Sequence, residues 1–345
     1  MRSHPEPGQA RPVTINDIAR VTNVAASTVS RALNNPGRVN PATRERIQAA
    51  AQQLNYVPNS QARALTSGRT ETVALLVSDV TNPFYFGIIR GTQRALNAAG
   101  YAQMLIDIAE NAGGLEVEVL HKMRRSMDGA IVAGSRLTDK ALSALAEEMP
   151  LVAINRNLRD NPGVIIDTPG AVQHAVEHLA SLGHRRIAYV SGPSNSWPNG
   201  ARWRAMGIAG RRLVLHVSMV GPFSPVQESG TAAADAVLNT GATACVAYND
   251  LLAIGMLNRL RERGVRVPDE LSVVGCDDIF GADFCNPPLT TLTAPIERAG
   301  GVAASMLLAR LKATTTSALH TIVLPTHLTV RDSTGPVPRP TRDIA

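Results

Sequence analysis

Two kinds of hydrophobic spacing divide the chain. Over residues 14–54 apolar positions recur at helical intervals: Ile15, Ile18 and Ala19, then Val29 and Leu33, then Ile47, Ala50, Ala51 and Leu54. This spacing predicts helices over about 15–21 and 26–33, and a third that opens at Pro41 behind an Asn40 cap. Thr14 can cap the first helix, and Asn23, which tolerates a left-handed conformation, can turn the chain towards the second. From Thr72 the spacing changes. Apolar runs alternate with helical stretches: TVALLV, AQMLID, GAIVAG, LVAIN and VIID, then RIAYVSG, RLVLHVSMVG, ACVAYND, LSVVGCDD and TTLT. Strand alternating with helix gives a parallel sheet with helices on both faces, here twice. The expected fold is an N-terminal all-α head on an α/β body of two doubly wound parallel-sheet lobes.

Charge separates the same regions. Residues 1–70 carry nine arginines, no lysine and three acids (Glu6, Asp17, Glu45), a net of +6; the whole chain is also +6, so the remainder is neutral. A basic module on a neutral body is the electrostatic signature of nucleic-acid binding. A solvated basic tail would give the same charge, but not the helical spacing. Two short helices joined by a tight turn and braced by a third describe a helix-turn-helix, whose second helix enters the major groove by its N-terminal end. The small side chains of Ala26 and Ser27 let that end approach base edges, and the hydroxyls of Thr28 and Ser30 can donate to phosphates. Arg31 has the reach and the fork to bind a guanine edge with two hydrogen bonds. Helix capping or a solvated face is the alternative for each of the three hydroxyl residues taken alone.

The stretch VTINDIARVTNVAASTVSRALNNPGRVNPATRERIQAAAQQLNYVPNSQARAL closely resembles the DNA-binding head of the LacI/GalR family of bacterial transcription regulators. Two positions depart from the family pattern: Asn23 and Ala25 stand where glycine and serine are usual. Losing a serine cap costs about 1 kcal/mol of helix stability, so a somewhat less stable head is expected. The resemblance implies DNA contacts from Thr14, Ala26, Ser27, Thr28, Ser30, Arg31 and Asn34. After Pro58, Asn59 can cap one more short helix through Leu65, similar to the family's hinge helix. The resemblance places Ala62 and Leu65 of that hinge on DNA, with Leu65 as an apolar wedge that unstacks a base step in the minor groove. Without the family, Leu65 is an apolar linker residue, for which a buried contact is the simpler reading.

In doubly wound folds ligands bind beyond the carboxyl ends of the strands, which here means the cleft between the lobes. The strand-end segments are Ser78–Phe86, Ala133–Arg136, Ile154–Arg156, Gly200–Arg204, Gly221–Ser224, Tyr248–Asp250 and Gly275–Asp278. The body resembles the family's periplasmic-sugar-binding-protein-like effector domain over essentially its whole length. That implies effector contacts from Arg204, Phe223, Asn249 and Asp277, with Asn82, Phe84 and Arg136 on the other lobe's edge. Planar Arg, Asn and Asp groups can each grip two adjacent hydroxyls, and an aromatic ring can cover an apolar sugar face. A strand-end cap or turn former remains the alternative for each. The stretch between Arg204 and Phe223 is shorter than the family pattern, so a curtailed helix is expected there.

The resulting division is a disordered extension over 1–12, the head over 13–57, hinge and linker over 58–70, an effector-binding and dimerisation body over 71–333, and a disordered tail over 334–345. Within the body the N-lobe takes about 71–165 and 295–324, and the C-lobe about 166–294 and 325–333. The tail has no leucine heptads, so a dimer rather than a coiled-coil tetramer is expected. HAVEH, His174 to His178, matches a zinc-peptidase spacing but has no evident third ligand. Cys245, Cys276 and Cys285 lack zinc-site spacing, and no phosphate-binding glycine loop or nucleophile elbow occurs. No cofactor, metal or enzymatic activity is expected. The N-terminus has no signal-peptide core and no apolar run spans a bilayer, which predicts a cytoplasmic protein. A transport solute-binding protein would share the body but not the basic head. The reading is a DNA-binding regulator, a repressor by resemblance, acting as a homodimer on a palindromic double-stranded operator under control of a small-molecule effector.

Overall fold

The computed structural model describes residues 11, 13–34, 36–57, 68–108, 115–158, 161–313 and 320–338. The chain forms two units, Met1–Arg69 and Thr70–Ala345. The first contains α1 (Ile15–Thr22), α2 (Ala26–Asn34) and α3 (Pro41–Gln53). Each boundary has a local cause. The Asp17 carboxylate accepts from the Thr14 backbone N–H at 3.0 Å and from its hydroxyl at 2.8 Å. These bonds hold Asp17 well below the usual carboxylate range, at about 2. Asn23 ends α1 in the left-handed region, φ 51°. Asn40 accepts from Ala42 N at 3.0 Å ahead of Pro41. Ile18, Val29, Ala32, Ile47 and Ala50 form the buried centre of the head.

The second unit contains two six-stranded sheets. The N-lobe sheet has the order β11-β5-β4-β3-β1-β2 and the C-lobe sheet β12-β10-β9-β8-β6-β7, numbered along the chain. The N-lobe strands are β1 (Thr72–Val77), β2 (Ala102–Asp107), β3 (Gly129–Ala133), β4 (Leu151–Ile154), β5 (Gly163–Ile166) and β11 (Thr321–Leu324). The C-lobe strands are β6 (Arg186–Val190), β7 (His216–Val220), β8 (Ala244–Ala247), β9 (Ser272–Asp277), β10 (Thr290–Thr293) and β12 (His327–Thr329). All pairings are parallel except β10 with β12. The helices of the body are α4 (Phe84–Ala98), α5 (Leu115–Met123), α6 (Asp139–Glu148), α7 (Thr168–Ser181), α8 (Trp197–Arg212), α9 (Gly230–Asn239), α10 (Asp250–Glu262) and α11 (Ile296–Lys312). Among the described residues no helix is long and apolar enough to cross a membrane.

The chain crosses between lobes at three places: between β5 and α7, between β10 and α11, and between β11 and β12. Thus α11 and β11 return late in the chain to complete the N-lobe. The fit of α11 on α4 requires glycine. A Cβ on Gly91 would lie 2.0 Å from Glu297 O, and one on Gly300 would lie 2.4 Å from Ile88 O.

Three expectations are corrected. The apolar run RLVLHVSMVG is not one strand: α8 continues to Arg212, Val214 turns with φ 55°, and β7 begins only at His216. Nor is the helix there curtailed, since α8 spans 16 residues. The tail expected to be disordered from 334 is anchored through 338. Gly335 N donates to Ser272 Oγ at 3.1 Å, Val337 N donates to Leu182 O at 2.9 Å, and the buried His184 ring meets Gly335 O at 3.0 Å. Backbone polar groups buried against the C-lobe order a segment whose proline-rich composition suggested otherwise.

Gly91→Ala is expected to lower stability by about 1–3 kcal/mol or more, because backbone rather than a flexible side chain blocks the new methyl. Gly37→Ala in the head, with nothing within 4 Å, should change little. Urea unfolding of both variants checks this.

Candidate functional site

The carboxyl ends of both sheets face one cleft of about 620 Å³, its open mouth included. The C-lobe supplies Pro198, Arg202, Pro225, Tyr248, Asn249 and Asp277 to its lining. The N-lobe supplies Asn82, Phe84, Tyr85, Gly134 to Arg136, and Ile154 to Arg156. Two strands, β4 and β9, enter it through backbone that side-chain-bearing residues seldom adopt. Asn155 has φ 59°, Asp277 φ 114° and Asp278 φ 58°. Non-glycine residues held there cost of order 1–3 kcal/mol each and concentrate at ligand sites. Gly134, φ 77°, is glycine for a further reason: a Cβ would lie 2.2 Å from the Tyr85 hydroxyl.

The centre of the C-lobe wall is Arg202, 4% exposed. Its Nε donates to Thr168 Oγ1 at 3.0 Å and its Nη1 to the carbonyl of Tyr248. Its guanidinium lies 5.0 Å from the centre of the Tyr248 ring, and Nη2 is 3.8 Å from Asp277 Oδ1. Burial opposes the charge on Arg202, but Cys276, Asp277, Tyr248 and Tyr189 around it outweigh burial and raise its pKa. Asp277 is pushed up to about 7 by burial, against the opposing pull of Arg202. Asp250, also fully buried, is raised to about 6 by the same cause. Its carboxylate accepts from Thr291 Oγ1 at 2.6 Å and from Ile279 N at 2.9 Å. Across the cleft Arg156 donates to Asp139 at 2.7 Å and to the Leu137 carbonyl at 2.7 Å.

Of the effector residues expected from the sequence, Asn82, Phe84, Arg136, Asn249 and Asp277 line the cleft. Two of them also serve the fold. Asn249 caps α10 by accepting from Leu252 N at 3.1 Å and donates to Pro225 O at 3.0 Å, and Asn82 accepts from Phe84 N at 3.0 Å. Arg204 is a correction: it is exposed, and Arg202 lines the cleft instead. The buried stripe of α8 runs through Ala201, Ala205, Met206 and Ala209, and Arg202 shares that face while Arg204 does not. Helical periodicity was the signal that could have found it. Phe223 is also displaced: it packs against the C-lobe core and is absent from the cleft lining, where Pro225 takes its place. Tyr85, Arg156 and Tyr248, from the same strand-end segments, also line the cleft.

In the head, Thr14, Ser27 and Arg31 are exposed, and Ala26, Thr28 and Ser30 are half-buried along α2. Asn34 closes that helix. Ala62 and Leu65 lie outside the described residues. The His174–His178 pair sits on α7, where His178 Nε2 meets Thr334 Oγ1 at 3.0 Å. Among the described residues no three His, Cys, Asp or Glu side chains gather as a metal site.

Two outcomes follow from this geometry. Arg202→Ala should destabilise the fold by about 3–5 kcal/mol by stranding Asp277, whereas Arg204→Ala should cost little; thermal melting compares them. Because the folded carboxyl of Asp277 titrates at about 7, and an unfolded one near 4, the folded state binds the proton more tightly between these values. Its contribution to stability is complete below about pH 4 and is lost as pH rises through about 7. Asp277→Asn should flatten that part of the stability–pH curve, read by denaturant titration across the range.

The sequence profile of the bacterial regulatory proteins of the lacI family matches residues 14–59, and that of the periplasmic binding protein-like domain matches residues 176–334. The chain is 33% identical over 336 residues to the HTH-type transcriptional regulator DegA of Bacillus subtilis, covering 94% of this chain and 98% of that protein. It is 31% identical over 307 residues to the HTH-type transcriptional repressor CytR of Escherichia coli, covering 87% and 90%. Its structure is similar to that of the lac repressor dimer bound to operator and the anti-inducer ONPF, with TM-score 0.84, 26% identity, and 94% and 100% of the two chains covered. The transcriptional regulator CelR–cellobiose complex gives TM-score 0.69 and 32% identity, with 93% and 99% covered. These relatives are named regulators, not enzymes, and with a helix-turn-helix head, a two-lobed body and this extent of similarity the chain belongs to the LacI family of DNA-binding transcriptional regulators.

Proposed function

We propose that the protein represses transcription from the cytoplasm as a homodimer on a near-palindromic double-stranded operator. We further propose that a small polyhydroxylated metabolite, a sugar or a close relative, binds the cleft and sets operator affinity. The observation that carries this reading is the buried Arg202–Asp277 pair on the cleft wall. A guanidinium and a carboxyl side by side can grip adjacent hydroxyls, and the rings of Phe84, Tyr85 and Tyr248 offer apolar faces nearby. CytR is named a repressor, the lac repressor structure is titled as a dimer on operator, and the CelR structure is titled as a cellobiose complex. These names support the reading by similarity. The cleft ligand acts by binding the operator-competent and incompetent arrangements of the lobes with different affinity.

In the head, Arg31 reads a guanine, Ala26 and Ser27 allow close approach, and Thr14, Thr28, Ser30 and Asn34 contact the backbone. Ala62 and Leu65 belong to the hinge, with Leu65 as the minor-groove wedge. A single short head reads few base pairs, so two are needed for useful specificity.

Sedimentation with duplex DNA should show two chains per operator; a monomer bound tightly to a half-site contradicts the dimer. Arg31→Ala should cost about 1–3 kcal/mol on the operator and much less on random DNA, and equal losses would make it a phosphate contact. A thermal-shift screen of sugars and nucleosides, beginning with cellobiose and ribose, identifies the effector. Asp277→Asn, which keeps a polar group of the same shape beside Arg202, should weaken or abolish the response to it while leaving effector-free operator binding nearly unchanged.

A further inference from the structure

Three consecutive residues at the end of β9 face three different places. Asp277 lines the cleft. Ile279, 5% exposed, joins the hydrophobic core of the N-lobe although its chain segment belongs to the C-lobe sheet. Between them Asp278 reaches the segments that cross between lobes. Its Oδ2 accepts from Thr293 Oγ1 at 2.8 Å, and Thr293 is the last residue of β10 before the chain passes to α11. Its Oδ1 accepts from Arg331 Nη2 at 2.8 Å, just beyond β12, the strand that follows the third crossing. Thr293 also bonds Thr329 of that strand. The first crossing is held from the same wall: Arg202 donates to Thr168, the first residue of α7. Each crossing is therefore flanked by a residue within one or two hydrogen bonds of Arg202 or of Asp278, the chain neighbour of Asp277. The turn itself is not a relaxed one, with φ 114° and 58° at Asp277 and Asp278, and Asp250 pins its far end through Ile279 N.

We propose that Asp278 is the positioning residue that couples the cleft to the lobe crossings: by holding Thr293 and Arg331 it fixes both the placement of Asp277 and the angle between the lobes. The proposal rests on the reading of the cleft as the effector site. A ligand that draws on Asp277 moves the adjoining carboxylate, whose bonds to Thr293 and Arg331 pass that movement to the chain flanking the second and third crossings. Asp278 itself is not part of the cleft lining, so it acts through its neighbours and not by touching ligand.

The test measures lobe geometry in the full-length protein with neither ligand nor DNA. Spin labels at Lys140→Cys on α6 and Glu262→Cys on α10, both exposed, report the distance between lobes in a Cys285→Ser background, since Cys245 and Cys276 are buried. Asp278→Asn and Thr293→Val should each broaden or shift the distance distribution. Glu177→Gln, which breaks an ion pair with Arg212 on the face of the C-lobe formed by α7 and α8, should leave it unchanged. If Asp278→Asn fails to fold, Thr293→Val carries the same comparison. Distributions that superimpose on wild type for both cleft-side variants overturn the proposal, as does equal broadening by Glu177→Gln, which would reduce the effect to general loss of stability. Failure of the cleft reading shows instead in the ligand screen, with the distances as expected.

Discussion

A positive charge enclosed in protein constrains everything built around it. Arg202 stands on the buried face of α8 and is satisfied by groups from three other places: the start of α7, the end of β8 and the end of β9. Stripping any one of them leaves part of a buried guanidinium without water or a partner, a loss of about 1–3 kcal/mol or more. The C-lobe can therefore reach its final packing only when these elements meet in a single register. That register is also the one that presents Asp277 to the cleft. The cleft-facing wall and the fold of the lobe are one arrangement, and neither can relax independently.

The two lobes meet this wall on unequal terms. On the N-lobe side Arg156 is tied to Asp139 and to a backbone carbonyl, and Glu116 accepts from Arg136 N at 2.9 Å and from the Ser135 hydroxyl. On the C-lobe side the carboxyl groups of Asp277 and Asp250 are held above their ordinary range by burial. The cleft thus sets an N-lobe rim tied by hydrogen bonds against a C-lobe wall whose acid is close to losing its charge. A neutral ligand rich in hydroxyls suits such a surface, since hydroxyls donate to a carboxylate and accept from a guanidinium.

Much of this was legible in the chain because its causes are local. Asn23, Asn40 and Pro41 punctuate the head by their own backbone preferences, and the alternation of apolar runs with helical stretches declared two doubly wound sheets. What escaped was set by tertiary contact. RLVL has the composition of a strand, yet α8 claims Arg212 and the turn at Val214 intervenes, because β7 must align with β6 from His216 onwards. The tail looked like a solvated proline-rich end, and it is ordered by hydrogen bonds to Ser272, Leu182 and His184 from far along the chain. In the cleft, the right segments were visible but the choice of arginine depended on which face of α8 is buried. Matching by motif gave Arg204, where the stripe of Ala201, Ala205 and Met206 points to Arg202.

The late return of the chain into the N-lobe has a consequence for synthesis. The head's last helix ends at Gln53, and its core closes with Leu54 and Tyr56, all within a few dozen residues. The N-lobe has its first strand at Thr72 but lacks α11 and β11 until residue 324 has been made, and the close glycine contacts between α4 and α11 leave no room for a substitute. A ribosome delivering the chain from its N-terminus releases the DNA-reading helices long before either the cleft or its crossings can exist. A nascent or prematurely ended chain then carries the DNA-binding helices without the body that follows them.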